Sequence, residues 1–338
     1  MVIAHHYTVS SGIMNCFDFN DITGNMIFLQ FWGAFGKIAI NCFLLITGYY
    51  MLNAGWSLKK WLKLYIEIKF YKLSIYALFC LCGYAEFNYH ELLITLFNVV
   101  FGIGNDYAET YLVLYFLIPF INRLIHSLTE KDYKRLLIIL LIVLCIIPSF
   151  SIFLSVKALS NDTWNYISWM IFMYLLGGYI RKYPQDRWKS KYWMLIGSIG
   201  NILLVFASIL VVDYIGIRFD FGAQYWFVNN ANKLLALTTA FCIFNLTKCI
   251  EIKYNSVINR IGSTTFGIFL IHTSNTYVRT FIWNDVFKCT EYYTSPYLVL
   301  HAIVSVVLVF GTCCIIDYIR SLLFESFLYK KLGYFKQQ

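Results

Sequence analysis

The sequence predicts an all-α, polytopic integral membrane protein, a helical bundle of about ten transmembrane helices. Of the 338 residues, 59% are hydrophobic and only 13% are charged, and apolar runs of about 20 residues recur along the whole chain. A soluble domain carries roughly 25% charged residues, so this chain lacks the side chains for a water-exposed surface. The apolar runs continue without a soluble appendage, so we expect residues 1–338 to form a single membrane-embedded domain.

Nine apolar runs have about the length that a helix needs to cross the hydrocarbon core. They cover residues 27–52, 66–85, 107–126, 134–155, 164–182, 191–213, 230–249, 261–283 and 297–320. The apolar segment from Val2 to about Met14 is too short to span, and we expect the first helix to begin upstream of Met1, truncated at its N-terminus here. Residues 91–103 are also short and are predicted to be re-entrant or interfacial.

Lysine and arginine are unevenly distributed among the segments between these runs. Two segments carry none (15–26 and 86–106), three carry one (156–163, 214–229 and 284–296), and five carry three or more (53–65, 123–135, 181–191, 248–260 and the tail from 320). Positively charged loops remain in the cytoplasm. The alternation therefore predicts ten helices with both termini cytoplasmic, and it accounts for the net charge of +9 without a nucleic-acid partner.

The basic and aromatic stretch 56–72 is predicted to be an amphipathic helix on the inner leaflet. Its alternative role is to attract an anionic donor from the cytoplasm. The cysteines have no metal-ligand spacing, and the chain has neither an HExxH motif nor a phosphate-binding glycine loop. We therefore expect no metal and no bound cofactor.

Ionisable side chains at membrane depth are costly and are candidates for function. They include His5, His6, Lys37, Glu109, Lys233, His272 and Arg279. Histidine is the side chain best suited to proton transfer near neutral pH, so histidines on two different helices indicate acid–base chemistry. Neighbouring helix positions point about 100° apart, so one of the first two histidines should face the core. Alternatively, Lys37 and Arg279 extend to the interface or pair with Glu109, or Glu109 is merely solvated.

Five sequence segments in order carry a family resemblance. They are MVIAHHYT, NCFLLITGYYM (41–51), ETYLVLYFLIPFIN (109–122), FMYLLGGYIRKYP (172–184) and IGSTTFGIFLIHTS (261–274). Together with the topology, they resemble the acyltransferase 3 family of bacterial multi-pass membrane acyltransferases, which modify surface polysaccharides. The resemblance implies a location in the bacterial inner or plasma membrane.

The resemblance also implies a reaction, the transfer of an acyl group, most often acetyl, from cytosolic acyl-CoA to a sugar hydroxyl. The sugar belongs to a cell-surface polysaccharide or a lipid-linked glycan, and acyl-CoA is a co-substrate. His6 matches the catalytic histidine of the family's first helix and would be the general base, and His272 matches the second histidine. The arginine that precedes the first histidine by eleven positions in the family would fall before Met1.

Four further residues complete the predicted site. Arg279 and Lys37 are nominated to stabilise the developing oxyanion, and Glu109 and Tyr111 are assigned to donor or substrate binding. Gly48, in the second motif, is expected to allow close helix approach. Two other functions are open at this stage: a transporter or flippase of a lipid-linked glycan, and an inactive relative of the family.

Overall fold

The computed structural model describes residues 1–101, 106–154, 166–219 and 225–325. Every regular element in these ranges is helical, which confirms the all-α prediction. The α-helices are α1 (Val2–Val9), α2 (Gly24–Tyr50), α3 (Leu58–Leu81), α4 (Tyr89–Phe101), α5 (Tyr107–Ser127), α6 (Glu130–Leu141), α7 (Ile147–Leu154), α8 (Tyr166–Lys182), α9 (Asp186–Lys189), α10 (Lys191–Phe219), α11 (Leu234–Lys248), α12 (Ser256–Thr273), α13 (Thr276–Thr280) and α14 (Leu298–Arg320). Helix α6 continues into α7 through a π-helical turn, Ile142–Ile146.

Five helices of the described ranges are long and apolar enough to cross a membrane. They are α2, α5, the combined α6–α7 segment, α10 and α14. The remaining described helices are shorter, more polar or more highly charged. The chain thus has the apolar helices of a membrane protein, and the count of ten crossings stays a prediction.

The basic stretch 56–72 does not form a separate helix on the membrane surface. Helix α3 begins at Leu58, where the Ser57 side chain accepts a hydrogen bond from the backbone N–H of Lys60, and it continues without a break to Leu81. Lys69 and Lys72 on this helix are buried. The stretch is therefore the first part of a longer helix, and acidic side chains of a neighbouring segment compensate its two buried lysines. The position of its first turns on the inner leaflet stays a prediction.

The predicted span 261–283 is interrupted. Helix α12 ends at Thr273, and α13 begins three residues later. Asn275 between them has an extended backbone, and its side chain accepts a hydrogen bond from the backbone N–H of Val278 at 2.9 Å. Asparagine is a favoured helix N-cap, and its side chain competes with continuation of the preceding helix. This local preference outweighs the apolar character of the run.

Short α1 packs on α2 at two glycines. A side chain at Gly33 would press against Thr8, and one at Gly36 would occupy the space of the His5 ring. The His5 Nδ1 donates a hydrogen bond to the carbonyl oxygen of Gly33 at 2.6 Å. These contacts fix the rotation of α1 about its axis and so determine where the next residue, His6, points.

Helix α2 lies at the centre of the described bundle, in contact with α1, α8, α10, α11 and α14. At its crossing with α8, Gly48 faces the backbone of Tyr174, and Gly177 faces the backbone of Leu45. Neither position has room for a Cβ atom. The prediction that Gly48 permits close helix approach is confirmed.

Candidate functional site

A cavity of about 250 Å³ lies where α1, α2, α3, α5, α12 and α13 meet. Lys37 lines it from the midpoint of α2, about 20 Å from either end of that helix at 1.5 Å per residue. The ionisable residues of the described lining are His5, His6, Lys37, Lys72, Asp106, Tyr107 and Arg279. The cavity thus gathers ionisable groups around the midpoint of a helix that is long and apolar enough to cross a membrane, where such groups are costly.

The two predicted catalytic histidines are adjacent. The imidazole rings of His6 and His272 lie 5.3 Å apart between centroids, inclined at 73°. His6 is partly exposed and lines the cavity, whereas His272 is 1% exposed and lies behind it, outside the lining. The structure therefore brings both residues to one place and puts only His6 in contact with the open space.

Hydrogen bonds hold each of these rings. The Nδ1 of His272 donates to the carbonyl oxygen of Ile268 at 2.6 Å, since a carbonyl can only accept. The Nε2 of His272 is buried with no hydrogen-bond partner in the described chain. The Nδ1 of His6 lies 3.0 Å from the Ser10 Oγ. As expected for adjacent positions on a helix, the two histidines of α1 point in different directions. His5 is hydrogen-bonded to the neighbouring helix α2, and His6 faces His272.

Arg279 lies on α13, beyond the interruption that follows α12. It lines the same cavity as His6. Its Nε donates to the carbonyl oxygen of Asn275 at 3.2 Å, and a terminal nitrogen donates to Thr276 Oγ1 at 3.3 Å.

A hydrogen bond between the segments that follow α3 and α13 supports the side of the cavity that Arg279 lines. The Tyr84 hydroxyl, just after α3, donates a hydrogen bond to the carboxylate of Asp285. Asp285 belongs to the π-helical turn Phe281–Val286, which directly follows α13. The hydrogen bond to Asp285 raises the pKa of Tyr84, because it stabilises the protonated hydroxyl. The end of α3 is thereby tied to the segment that carries Arg279.

A buried charge cluster joins α3 to the start of α5. Lys69 Nζ lies 2.8 Å from Glu109 Oε1, and Lys72 Nζ lies 3.0 Å from the same oxygen. Lys72 also contacts Asp106 Oδ2 at 2.7 Å. Glu109 is fully buried and does not line the cavity. It is neither solvated nor paired with Lys37 or Arg279, so both of those alternatives were wrong.

Lys72 is a lining residue that the sequence reasoning missed. The sequence did indicate a candidate site residue here, because Lys69 and Lys72 both lie within the predicted span 66–85, at membrane depth. Both lysines were also assigned to the surface helix 56–72, so neither was nominated for the site. Within the described chain, neither Lys37 nor Arg279 forms an ion pair with a carboxylate. The cavity therefore carries positive charge that no carboxylate of the described residues neutralises.

Tyr111 lies beside the cavity without lining it. Its hydroxyl is 3.4 Å from Thr47 Oγ1, and its ring packs on Phe43 with centroids 5.4 Å apart. Tyr111 therefore packs between α2 and α5. A bound substrate would touch Tyr111 only if the cavity extended as far as this side chain.

A second cavity of about 170 Å³ adjoins the first, and both are lined by Val2, Ile40, Tyr107 and Phe269. The remaining lining of the second cavity is mainly apolar and comprises Ala39, Phe43, Thr265 and Phe266. These residues lie nearer than Lys37 and His272 to the ends of α2 and α12 that meet the lysine-rich loops 53–65 and 248–260. The second cavity thus extends toward the side predicted to be cytoplasmic.

The described residues contain no group of three metal-binding side chains. A family model described as an acyltransferase domain, acyltransferase 3, matches residues 1–318, a range that includes every helix around the cavity. The chain belongs to the acyltransferase 3 family. The resemblance predicted from the five motifs is thereby confirmed, and membership implies a membrane acyltransferase. Comparisons with curated proteins and with solved structures found no match.

Proposed function

We propose that this acyltransferase 3 protein transfers an acyl group, with acetyl the expected group, from cytosolic acyl-CoA to a hydroxyl of a cell-surface or lipid-linked sugar. We further propose that it does so in a bacterial cell membrane with both termini cytoplasmic, and that His6 is the general base. The observation that carries this proposal is the position of His6, whose ring lines a polar cavity in the middle of the bundle beside Lys37, Lys72 and Arg279.

The chemistry follows from what a hydroxyl requires to attack a thioester. A sugar hydroxyl is a poor nucleophile near neutral pH, so a base must accept its proton as the new bond forms. The Nδ1 of His6 is bonded to Ser10, which leaves Nε2 for that proton. The sugar oxygen then attacks the thioester carbon, the carbon–sulfur bond breaks, and the departing thiolate receives the proton from His6.

Two cations of the lining suit the negative charge that develops on the thioester oxygen. Lys37 and Arg279 line the cavity on different helices, and neither is paired with a carboxylate in the described chain. A positive group in a water-poor site stabilises such an oxyanion much more than it would in water. His272 supports the base indirectly, since its ring contacts that of His6 from outside the lining.

The proposed reaction requires a route for the donor, because acyl-CoA is cytosolic while the histidines are expected at mid-depth in the membrane. The second cavity supports a route, since it shares four lining residues with the first and extends toward the lysine-rich loops. The pantetheine arm would enter there, with the nucleotide left at the basic surface. A transporter or an inactive relative would not need a base exposed to such a route.

The test is transfer of label from radiolabelled acetyl-CoA to glycan by the full chain in proteoliposomes. We expect the wild type to label glycan and His6→Ala to lose at least a hundredfold in rate, the usual contribution of a general base. His126→Ala is the matched control, because His126 is exposed near the end of α5 and lies outside the cavity. Equal labelling by wild type and His6→Ala would remove His6 from the mechanism. Absence of labelling by the wild type would favour the transporter or the inactive relative.

A further inference from the structure

The three histidines around the cavity differ in what holds their Nδ1 atoms. For His5 and His272 the partner is a backbone carbonyl, of Gly33 and of Ile268 respectively. A carbonyl accepts only, so in both rings the hydrogen is fixed on Nδ1. The Nδ1 of His6 faces a hydroxyl instead, the Oγ of Ser10 at 3.0 Å.

A ring that takes a proton at Nε2 must already carry its other hydrogen on Nδ1, and the Ser10 oxygen can accept a hydrogen bond from that Nδ1–H. Protonation at Nε2 leaves the Nδ1 hydrogen in place, so Ser10 accepts in both states. The contact can therefore persist through a complete cycle of proton transfer at Nε2. A hydroxyl can also donate to Nδ1 when the neutral ring carries its hydrogen on Nε2, but that form cannot act as a base at Nε2.

Helix geometry makes the pairing specific. Ser10 follows His6 by four positions, and its backbone N–H donates to the His6 carbonyl oxygen at 3.0 Å, so the two side chains lie on one face of the same turn. The next residue, Ser11, points elsewhere and donates to the carbonyl oxygen of Tyr7 at 2.6 Å. Only the first of these adjacent serines reaches the ring.

We infer that Ser10 is a positioning residue for His6, holding the ring so that Nε2 faces the cavity, with its oxygen accepting from Nδ1–H in both protonation states that the reaction uses. This inference rests on the proposed function for its catalytic consequence. The contact itself does not depend on that function, and it can be measured without turnover.

The experiment compares Ser10→Ala, Ser10→Thr and Ser11→Ala in the purified full chain. Acyl transfer gives kcat and the KM for acetyl-CoA, and carbethoxylation by diethylpyrocarbonate, located by fragment mass spectrometry, gives the reactivity of His6. We expect Ser10→Ala to lower kcat by about three- to tenfold, the usual effect of one hydrogen bond, with KM for acetyl-CoA unchanged. We also expect it to slow carbethoxylation of His6 several-fold. Ser10→Thr, which keeps the hydroxyl, should restore both values, and Ser11→Ala should change neither.

Unchanged kcat and unchanged His6 reactivity in Ser10→Ala would overturn the inference, as would a change in KM alone or a failure of Ser10→Thr to restore them. Should Ser10→Ala fail to accumulate, Ser10→Cys supplies the same comparison, because a thiol is a weaker hydrogen-bond partner. If the wild type transfers no acyl group, the proposed function fails while carbethoxylation still decides the role of Ser10: slower modification in Ser10→Ala supports it, and an equal rate overturns it.

Discussion

The rings of His6 and His272 lie edge to face, with centroids 5.3 Å apart, although 266 positions separate the two residues in sequence. One ring lines the cavity and the other lies behind it with an unpartnered Nε2. Contact between α1 and α12 thus gives the candidate base a second imidazole as its neighbour. Whether two such residues act as a unit can be measured.

Because the two rings are in contact, we expect the effects of replacing them not to add. His272→Ala should lower the rate of acyl transfer about tenfold or more, and His6→Ala should lower it further. The double variant should be no slower than His6→Ala alone, as is usual for residues that act together. Rates that multiply in the double variant would show that the histidines act independently.

The two buried lysines of α3 should respond differently to replacement by methionine. Lys72 lines the cavity and Lys69 does not, although both contact Glu109. We expect Lys72→Met to raise the KM for acetyl-CoA or lower kcat about tenfold. Lys69→Met should reduce abundance or thermal stability and leave turnover per folded molecule unchanged. Thermal shift and initial rates on the same preparations separate the two effects, and identical behaviour of the variants would contradict this assignment.

Glu109 is expected to matter for stability because it holds both lysines. Its replacement by glutamine removes the charge that two buried cations share, and breaking a buried pair of this kind costs about 3–5 kcal/mol. We expect Glu109→Gln to show a much lower melting temperature in detergent. The exposed pair of Glu130 and Lys134 is the matched control, and Glu130→Gln should have little effect.

Close packing at Gly36 should control activity through the orientation of α1. An added Cβ would meet the ring of His5, so Gly36→Ala must displace α1 from α2. We expect acyl transfer to fall by about tenfold or more, since small displacements of a catalytic group are costly. Gly262→Ala on α12 is the control, because open space surrounds that position. Full activity of Gly36→Ala would mean that α1 can shift without moving His6 from its working position.

Charge and geometry at Arg279 can be separated by two substitutions. Arg279→Ala should lower kcat by about a hundredfold if the guanidinium stabilises the oxyanion, a typical cost for losing one such donor. Arg279→Lys keeps the charge and should recover part of that loss. Lys37→Ala gives the parallel test on α2. A change in KM with kcat preserved would instead assign these cations to binding.

The sequence predicted much of this fold because hydrophobic run length is a strong signal in a membrane chain. It located most helices to within a few residues and gave the family. The interruption at Asn275 was missed, since a single cap residue barely alters the hydropathy of a run. The pairing of Glu109 with Lys69 and Lys72 was missed for a different reason: partners 37 to 40 residues apart in sequence become neighbours only through packing. For the same reason the sequence nominated His6 and His272 without revealing their contact.

The Asn275 cap has a wider consequence for how such a chain distributes its charge. The Asn275 side-chain amide caps a new helix within one apolar run, with neither a proline nor a glycine beside it. A hydropathy profile counts such a run as a single crossing. The positions of ionisable groups beyond the cap therefore cannot be taken from linear distance along the run.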